Sequence, residues 1–204
     1  GSLIATSISE YFRDQGMDVM FMMDSLTRVA MAQREIGLAV GEPPTTKGFT
    51  PSVFSFLPRL LERTGAGKIG SITGLYSVLV EGDDMDDPIG DTARSILDGH
   101  IILSRKLSTK GHYPAVDVLD SVSRLFTEIA DEKHINSARS LVELLSEYRN
   151  AEDMISIGAY AKGSNEKVDL ALQKKTVIDN FLRQGINDSS PFNDTLNSLL
   201  TILD

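Results

Sequence analysis

Asp24 closes a nearly unbroken apolar run, Val19-Met20-Phe21-Met22-Met23. Open α/β sheets place ligand contacts at the carboxyl ends of such strands, and a carboxylate there matches the Walker B pattern of nucleotide sites. The same position suits an ordinary helix cap, since a side-chain oxygen just before a helix accepts from its free N–H groups. Arg28 stands one helical turn beyond Asp24, where a guanidinium either lies near phosphate or makes an ion pair. No phosphate-binding loop of the form G-x-x-x-x-G-K-[ST] occurs in these residues. Gly65-Ala66-Gly67-Lys68 lacks both the spacing and the hydroxyl residue after Lys. Without that nest of backbone N–H groups a triphosphate loses its main anchor.

Other chemistry-bearing residues are less pointed. Glu81-Gly82-Asp83-Asp84-Met85-Asp86-Asp87 carries five carboxylates in seven residues. It reads as a solvated loop or, if wrapped around an ion, as a Ca²⁺ site. His100, His112 and His134 show no metal-ligand spacing, and no cysteine is present to join them, so they read as structural or surface residues. Met17, Met20, Met22 and Met23 read as fillers of core gaps.

The elements that must position these residues follow from periodicity. Ile4, Ile8, Tyr11 and Phe12 predict a helix that stops at Asp14-Gln15-Gly16. Asp18 to Met23 predicts a parallel strand covered on both faces. A helix follows through Leu26, Val29, Ala30, Ile36 and Leu38, ended by Gly41-Glu42-Pro43-Pro44. Pro51-Ser52 opens another carrying Phe54, Leu57, Leu60 and Leu61. Ile69 to Val80 and Ile101 to Leu103 predict strands. That alternation implies an α/β sheet layer.

After Arg124 the pattern is helical: Leu141, Leu144, Leu145 and Tyr148 share one face, Lys167 to Arg183 is amphipathic, and Ser190-Pro191 caps and opens a last helix. A boundary is expected near Leu125–Thr127, dividing residues 1–125 from 126–204. Gly1-Ser2 reads as a cloning remnant, with Leu3 opening in the middle of a helix.

Bulk properties narrow the function class. A length of 204 residues with 41% hydrophobic and 24% charged residues predicts a folded, soluble chain of one or two units. A net charge of −9 argues against nucleic-acid binding, which needs clustered Lys and Arg. The absence of cysteine fits a reducing, cytoplasmic setting. No apolar run approaches the roughly 20 residues of a membrane helix, and no basic-then-apolar signal peptide opens the chain.

The surroundings of Asp24 add a resemblance. Met22-Met23-Asp24-Ser25-Leu26-Thr27-Arg28 leads into Ala32-Gln33-Arg34-Glu35-Ile36-Gly37-Leu38 and Gly41-Glu42-Pro43-Pro44-Thr45. Further on come Leu57-Pro58-Arg59-Leu60-Leu61-Glu62-Arg63, Val80-Glu81-Gly82-Asp83-Asp84-Met85 and His112-Tyr113-Pro114-Ala115-Val116-Asp117. Together these resemble the flagellar and type III protein-export ATPases, relatives of the catalytic subunits of rotary ATP synthases.

The resemblance implies an α/β fold, part of a RecA-like P-loop ATPase sheet layer followed by an all-helical carboxy-terminal domain. It implies a homohexamer using ATP and Mg²⁺, with sites between subunits. In it Asp24 would hold Mg²⁺ through water, Tyr113 would stack on adenine, Arg124 would serve as an arginine finger for the neighbouring subunit, and Arg28 would lie near the phosphates. Apart from the resemblance, Tyr113 reads as a half-buried tyrosine and Arg124 as a junction salt bridge. The segment with Asp83 and Asp84 would face a central channel and a stalk.

Export-gate proteins, chaperones and export substrates are the other implied partners, at the cytoplasmic face of the cell membrane with peripheral association only. The family's phosphate loop and water-polarising glutamate are expected upstream of Leu3. This chain alone is therefore expected to hydrolyse no ATP, to bind no nucleotide tightly and to be largely monomeric. The alternatives are a non-hydrolysing binding or regulatory module, an injectisome ATPase or another rotary ATPase subunit. Ala32-Gln33-Arg34 favours the flagellar branch.

Overall fold

In the computed structural model, which describes residues 1–80, 82, 84 and 86–202, contacts divide the chain into two units, Gly1–Leu97 and Asp98–Asp204. No helix among the described residues is long and apolar enough to cross a membrane.

In the first unit the apolar run becomes β1 (Asp18–Met23), paired in parallel with β3 (Ser71–Tyr76) from Asp18 opposite Ser71 to Met23 opposite Tyr76. The short β2 (Gly65–Ala66) lies antiparallel on the other side of β3, for an order β1-β3-β2. A parallel pair needs a long crossover, supplied here by α2 (Leu26–Ala39) and α3 (Pro51–Leu61). Pro51 sits in the first turn of α3, where an amide N–H has no helical partner to lose. Val53, Leu57, Leu60 and Leu61 recur at helical spacing and are buried with Leu26, Ala30 and Phe49. Ile89 and Ala93 of α4 (Pro88–Ile96) close this core. Asp87 caps α4, its Oδ1 accepting the Ile89 and Gly90 N–H groups at 3.0 Å each.

In this unit three expectations change. First, β1 is not covered on both faces: Phe21 is buried, but Met20 and Met22 are 59% and 72% exposed. Side chains alternate across a strand, so these methionines share one face. With Met17, they are surface residues rather than core fillers; only Met23 packs against the core.

Second, the strand after Ile69 is shorter than predicted. It ends at Tyr76 because β1 ends at Met23, and the next backbone groups turn to α2. Leu26 N–H donates to Ser77 O at 2.9 Å, and Leu79 N–H donates to Thr27 Oγ1 at 2.9 Å.

Third, α1 (Ser2–Arg13) forms as predicted but buries Thr6 and Ser9, leaving Ile4, Ile8 and Tyr11 exposed. Both hydroxyls are satisfied within the helix, by Ser2 O at 2.9 Å and Ala5 O at 3.1 Å, so their burial leaves no orphaned donor. The Arg63 guanidinium grips the Glu10 carboxylate with two bonds, at 2.8 and 2.5 Å, and ties α1 to the chain after α3.

The second unit begins with β4 (Gly99–Leu103) and β5 (Val116–Ser123), an antiparallel pair whose register shifts between His100 and Ile102. The acidic residues within Val116–Ser123 hide β5 from a search for apolar runs. Between the strands runs α5 (Arg105–Thr109). The helices α6 (Phe126–Ile129), α7 (Glu132–Ser156), α8 (Glu166–Leu182) and α9 (Phe192–Thr201) follow.

Asp131 and Asn165 cap α7 and α8 through side-chain oxygens, at 2.8 Å to His134 N and 2.9 Å to Lys167 N. Leu141, Leu144, Ala171, Ile178, Leu199 and Ile202 form their shared core. Ser190 does not cap α9. Pro191 occupies the cap position in extended conformation, and the Ser190 hydroxyl instead pairs with Thr195 Oγ1 at 2.8 Å.

Candidate functional site

The parallel register explains how Asp24 is held. One step beyond Met23 opposite Tyr76, it meets Ser77, whose hydroxyl donates to Asp24 Oδ1 at 2.8 Å. Ser77 N–H donates to Met23 O at 3.0 Å, so one serine fixes both the strand end and the carboxylate. Asp24 itself is exposed, while Ser25 is buried and takes the capping role, its Oγ accepting from Arg28 N–H at 3.4 Å. The bond between Asp24 and Ser25 is cis. Because Ser25 Oγ accepts from the first turn of α2, the cap reading belongs to Ser25, and Asp24 is left exposed at the strand end. Arg28 is exposed in the first turn of α2.

Of the acidic loop, Asp84 is described and Asp83 lies outside the described residues. Lys47 Nζ meets Asp84 Oδ2 at 2.5 Å and reaches Asp87 at 3.9 Å. The Lys47 hydrogen bond holds the Asp84 carboxyl below its ordinary range, with help from the Asp86 N–H. Two of these carboxylates are thus committed, to a lysine and to a helix cap. Among the described residues no group of three or more His, Asp or Glu side chains gathers for a metal ion.

In the second unit, Tyr113 stands in the loop between α5 and β5, is 56% exposed and pairs its hydroxyl with Ser108 Oγ at 2.9 Å. Its neighbour His112 is buried, with burial first and the Arg183 guanidinium second holding the imidazole below its ordinary pKa. Arg124 follows β5, is exposed, and is fixed through its backbone, which donates to Asp98 O at 2.8 Å. Arg149 of α7 straddles Asp117 and Asp120 on β5, the latter at 3.0 Å, and so ties the strand leading to Arg124 to the helical layer. His100 Nε2 lies 3.2 Å from Asp120 O, and His134 packs edge-on to Phe126 with ring centroids 5.0 Å apart.

Asp24 and Arg28 lie in one unit, and Tyr113 and Arg124 lie in the other. Sequence reasoning missed Ser77, Lys47 and Arg149. For Ser77 a signal exists: a parallel register of Asp18 opposite Ser71, carried forward, sets Ser77 opposite Asp24. The other two join segments distant in sequence and leave no local pattern.

Residues 1–123 match the ATP synthase alpha/beta family, nucleotide-binding domain. The chain belongs to this family. Residues 130–201 match the T3SS EscN ATPase C-terminal domain, which accounts for the helical part. A flagellum-specific ATP synthase of Bacillus subtilis (strain 168) is 57% identical over 198 residues, 97% of this chain and 45% of the relative.

The assembled ATPase EscN of the enteropathogenic E. coli type III secretion system superposes with a TM-score of 0.96 at 46% identity, covering 100% of this chain and 49% of EscN. EscN in complex with its central stalk EscO gives 0.89 at 45% identity, covering 100% of this chain and 48% of that one. The resemblance read from the motifs around Asp24 is borne out, as is the RecA-like sheet layer followed by a helical domain. This family member spans about half the length of the relatives it matches.

Proposed function

We propose that this chain is a segment of an ATPase that assembles as a homohexamer and couples ATP hydrolysis to flagellar or type III protein export. The observation that carries the reading is the Asp24 carboxylate at the carboxyl end of a parallel strand, exposed and oriented by Ser77, in a chain of the ATP synthase alpha/beta family. Mg²⁺ keeps most of its own waters in nucleotide sites, so a single oriented carboxylate suits its outer shell. Asp24 would hold the ion through water, and the ion would neutralise phosphate charge. Arg28 adds positive potential in the adjoining first turn, Tyr113 stacks on the base, and Arg124 meets the nucleotide of a neighbouring subunit.

In this reading residues 1–125 complete an ATPase domain and 126–204 form its helical end. The stalk-bound assembly of the EscN relative supports a stalk partner for the segment with Asp83 and Asp84. There Lys47 competes for Asp84, so a basic stalk residue would have to displace it. Export-gate proteins, chaperones and export substrates would complete the partner set, with the protein peripheral at the inner face of the cell membrane.

The isolated 204-residue chain is proposed to be largely monomeric and inactive, because these residues lack the phosphate loop. ATP turnover by the whole protein, native and with Asp24→Asn, tests the reading beside the isolated chain. Native turnover, its loss in the variant and none from the isolated chain are expected. Mg²⁺-dependent turnover by the isolated chain, or an active Asp24→Asn protein, would refute it.

A further inference from the structure

The loop that carries Tyr113 is held from one side by the carboxyl end of α8. Gln184 N–H donates to Tyr113 O at 2.8 Å, and Arg183 Nε donates to His112 Nδ1 over a long 3.4 Å. His112 N–H returns to Leu107 O at 3.0 Å, and the Tyr113 hydroxyl meets Ser108 at 2.9 Å, so α5 holds the loop from its other end. Two adjacent residues thus divide the work: His112 is 6% exposed and takes the anchoring contacts, while Tyr113 is 56% exposed and presents its ring. An exposed ring on a backbone fixed in advance loses less freedom on stacking against a ligand than one on a mobile loop.

We propose that Arg183 and Gln184 are positioning residues: acting through His112 and the Tyr113 carbonyl, they set the Tyr113 ring for a nucleotide base. The inference rests on the reading of Tyr113 as the base-stacking residue. It makes the helical part a contributor to base binding through the placement of Tyr113.

The state of His112 agrees with this geometry. To accept from Arg183, Nδ1 must be unprotonated, which places the proton of the neutral ring on Nε2. Burial and the Arg183 guanidinium both favour that neutral form, Lys175 adds to them, and Asp179 and the Leu182 backbone oppose. Lys110, Asp117, Arg149 and Glu152 line the same pocket of about 150 Å³. Lys110 is paired with Glu152 at 2.8 Å, and Arg149 with Asp117.

The test is the KM for ATP and the kcat of the whole protein carrying Tyr113→Leu, Arg183→Ala, Arg183→Gln, His112→Asn or the Tyr113→Leu/Arg183→Ala pair. Base–aromatic stacking of about 1–3 kcal/mol predicts a rise in KM of roughly 5- to 150-fold for Tyr113→Leu. Arg183→Ala is expected to raise KM several-fold with kcat within about twofold, and to add nothing in the Tyr113→Leu background. Protonation of His112 would remove the Nδ1 acceptor, so the native KM should rise at acid pH, and His112→Asn, which takes up no such proton, should lose that pH dependence. Arg183→Gln, which keeps an N–H donor, should fall between native and Arg183→Ala and serves if the alanine variant fails to fold.

An unchanged KM in Tyr113→Leu would overturn both the base-stacking reading and this inference. A raised KM in Tyr113→Leu with an unchanged KM in the Arg183 variants would overturn the inference alone. So would an Arg183→Ala effect of the same size in both backgrounds.

Discussion

Asp24 and Tyr113 are both exposed, yet the two units hold them by different means. Asp24 is set by regular structure: a parallel register, a serine in the facing strand, and a helix capped one residue later. Tyr113 is set by a few contacts outside regular structure, with the neighbouring α5 on one side and, from far along the chain, the end of α8 on the other. Regular structure resists single substitutions, because many backbone bonds share the placement. A loop braced by a few side chains moves when one of them is removed. The Asp24 region should therefore lose function mainly through the carboxylate itself, whereas the Tyr113 region should be sensitive to residues that touch no ligand.

The largest expected effect lies at Arg124. If it stabilises charge on the transferring phosphoryl group, Arg124→Ala should lower kcat about 10³- to 10⁵-fold, roughly 4–7 kcal/mol of barrier, with nucleotide affinity little changed. Steady-state turnover beside equilibrium nucleotide binding separates the two quantities. A loss of affinity with normal kcat would make Arg124 an ordinary binding contact.

Asp24→Asn should cost about 10²- to 10³-fold in turnover, the scale of removing one preorganised electrostatic group. Ser77→Ala, which frees the carboxylate without removing it, should cost much less. If the two variants lost equal activity, Ser77 would be more than a support and the contrast between the units would weaken.

The sequence made the first of these regions far more legible than the second. Continuous apolar residues before Asp24, proline at the start of α3 and the spacing of Leu57, Leu60 and Leu61 are local signals, and the folded elements follow them closely. What failed was the assignment of faces. The apolar stripe of α1 and the methionines of β1 predict burial, but in this chain Ile4, Tyr11, Met20 and Met22 are exposed. Periodicity reports which residues share a face and says nothing about what lies against it. In the second unit β5 went unread because Asp117 and Asp120 break its apolar pattern, and both are answered by Arg149 from a helix well downstream. Tyr113 and Arg124 were found only by resemblance, since an isolated Tyr-Pro or Ser-Arg carries no periodic signal.

Two smaller effects sharpen the contrast in stability. A Cβ on Gly37 would lie 2.4 Å from Thr50 Oγ1 and 2.9 Å from Thr50 Cβ, so α2 and the start of α3 approach closely only because residue 37 is glycine. Gly37→Ala is expected to destabilise Gly1–Leu97 by about 1–3 kcal/mol, read as a lower urea midpoint with an unchanged slope. An unchanged midpoint would mean that the helices separate at no cost.

His112 should give the second unit a pH dependence. Its folded pKa lies below the ordinary 6.5, so above that value both states are neutral and the unit keeps its full stability. As pH falls from about 6.5 through the lowered folded value, the unfolded chain binds the extra proton first and stability declines. Urea midpoints followed across this range should fall in the native chain and fall less in His112→Asn. Identical profiles would remove His112 as the cause.

The central claim is that Asp24 and Arg124 serve different active sites, each completed by a neighbouring subunit. It is tested most directly by mixing two inactive whole proteins, one carrying Arg124→Ala and the other a disabled phosphate loop, and measuring ATP turnover. Random assembly in a ring would join an intact loop to an intact Arg124 at about a quarter of the interfaces. The account predicts that the mixture recovers a corresponding fraction of native activity although neither parent has any. A freely exchanging mixture that stays as inactive as its parents would show that Arg124 acts within its own subunit, and would contradict the shared site.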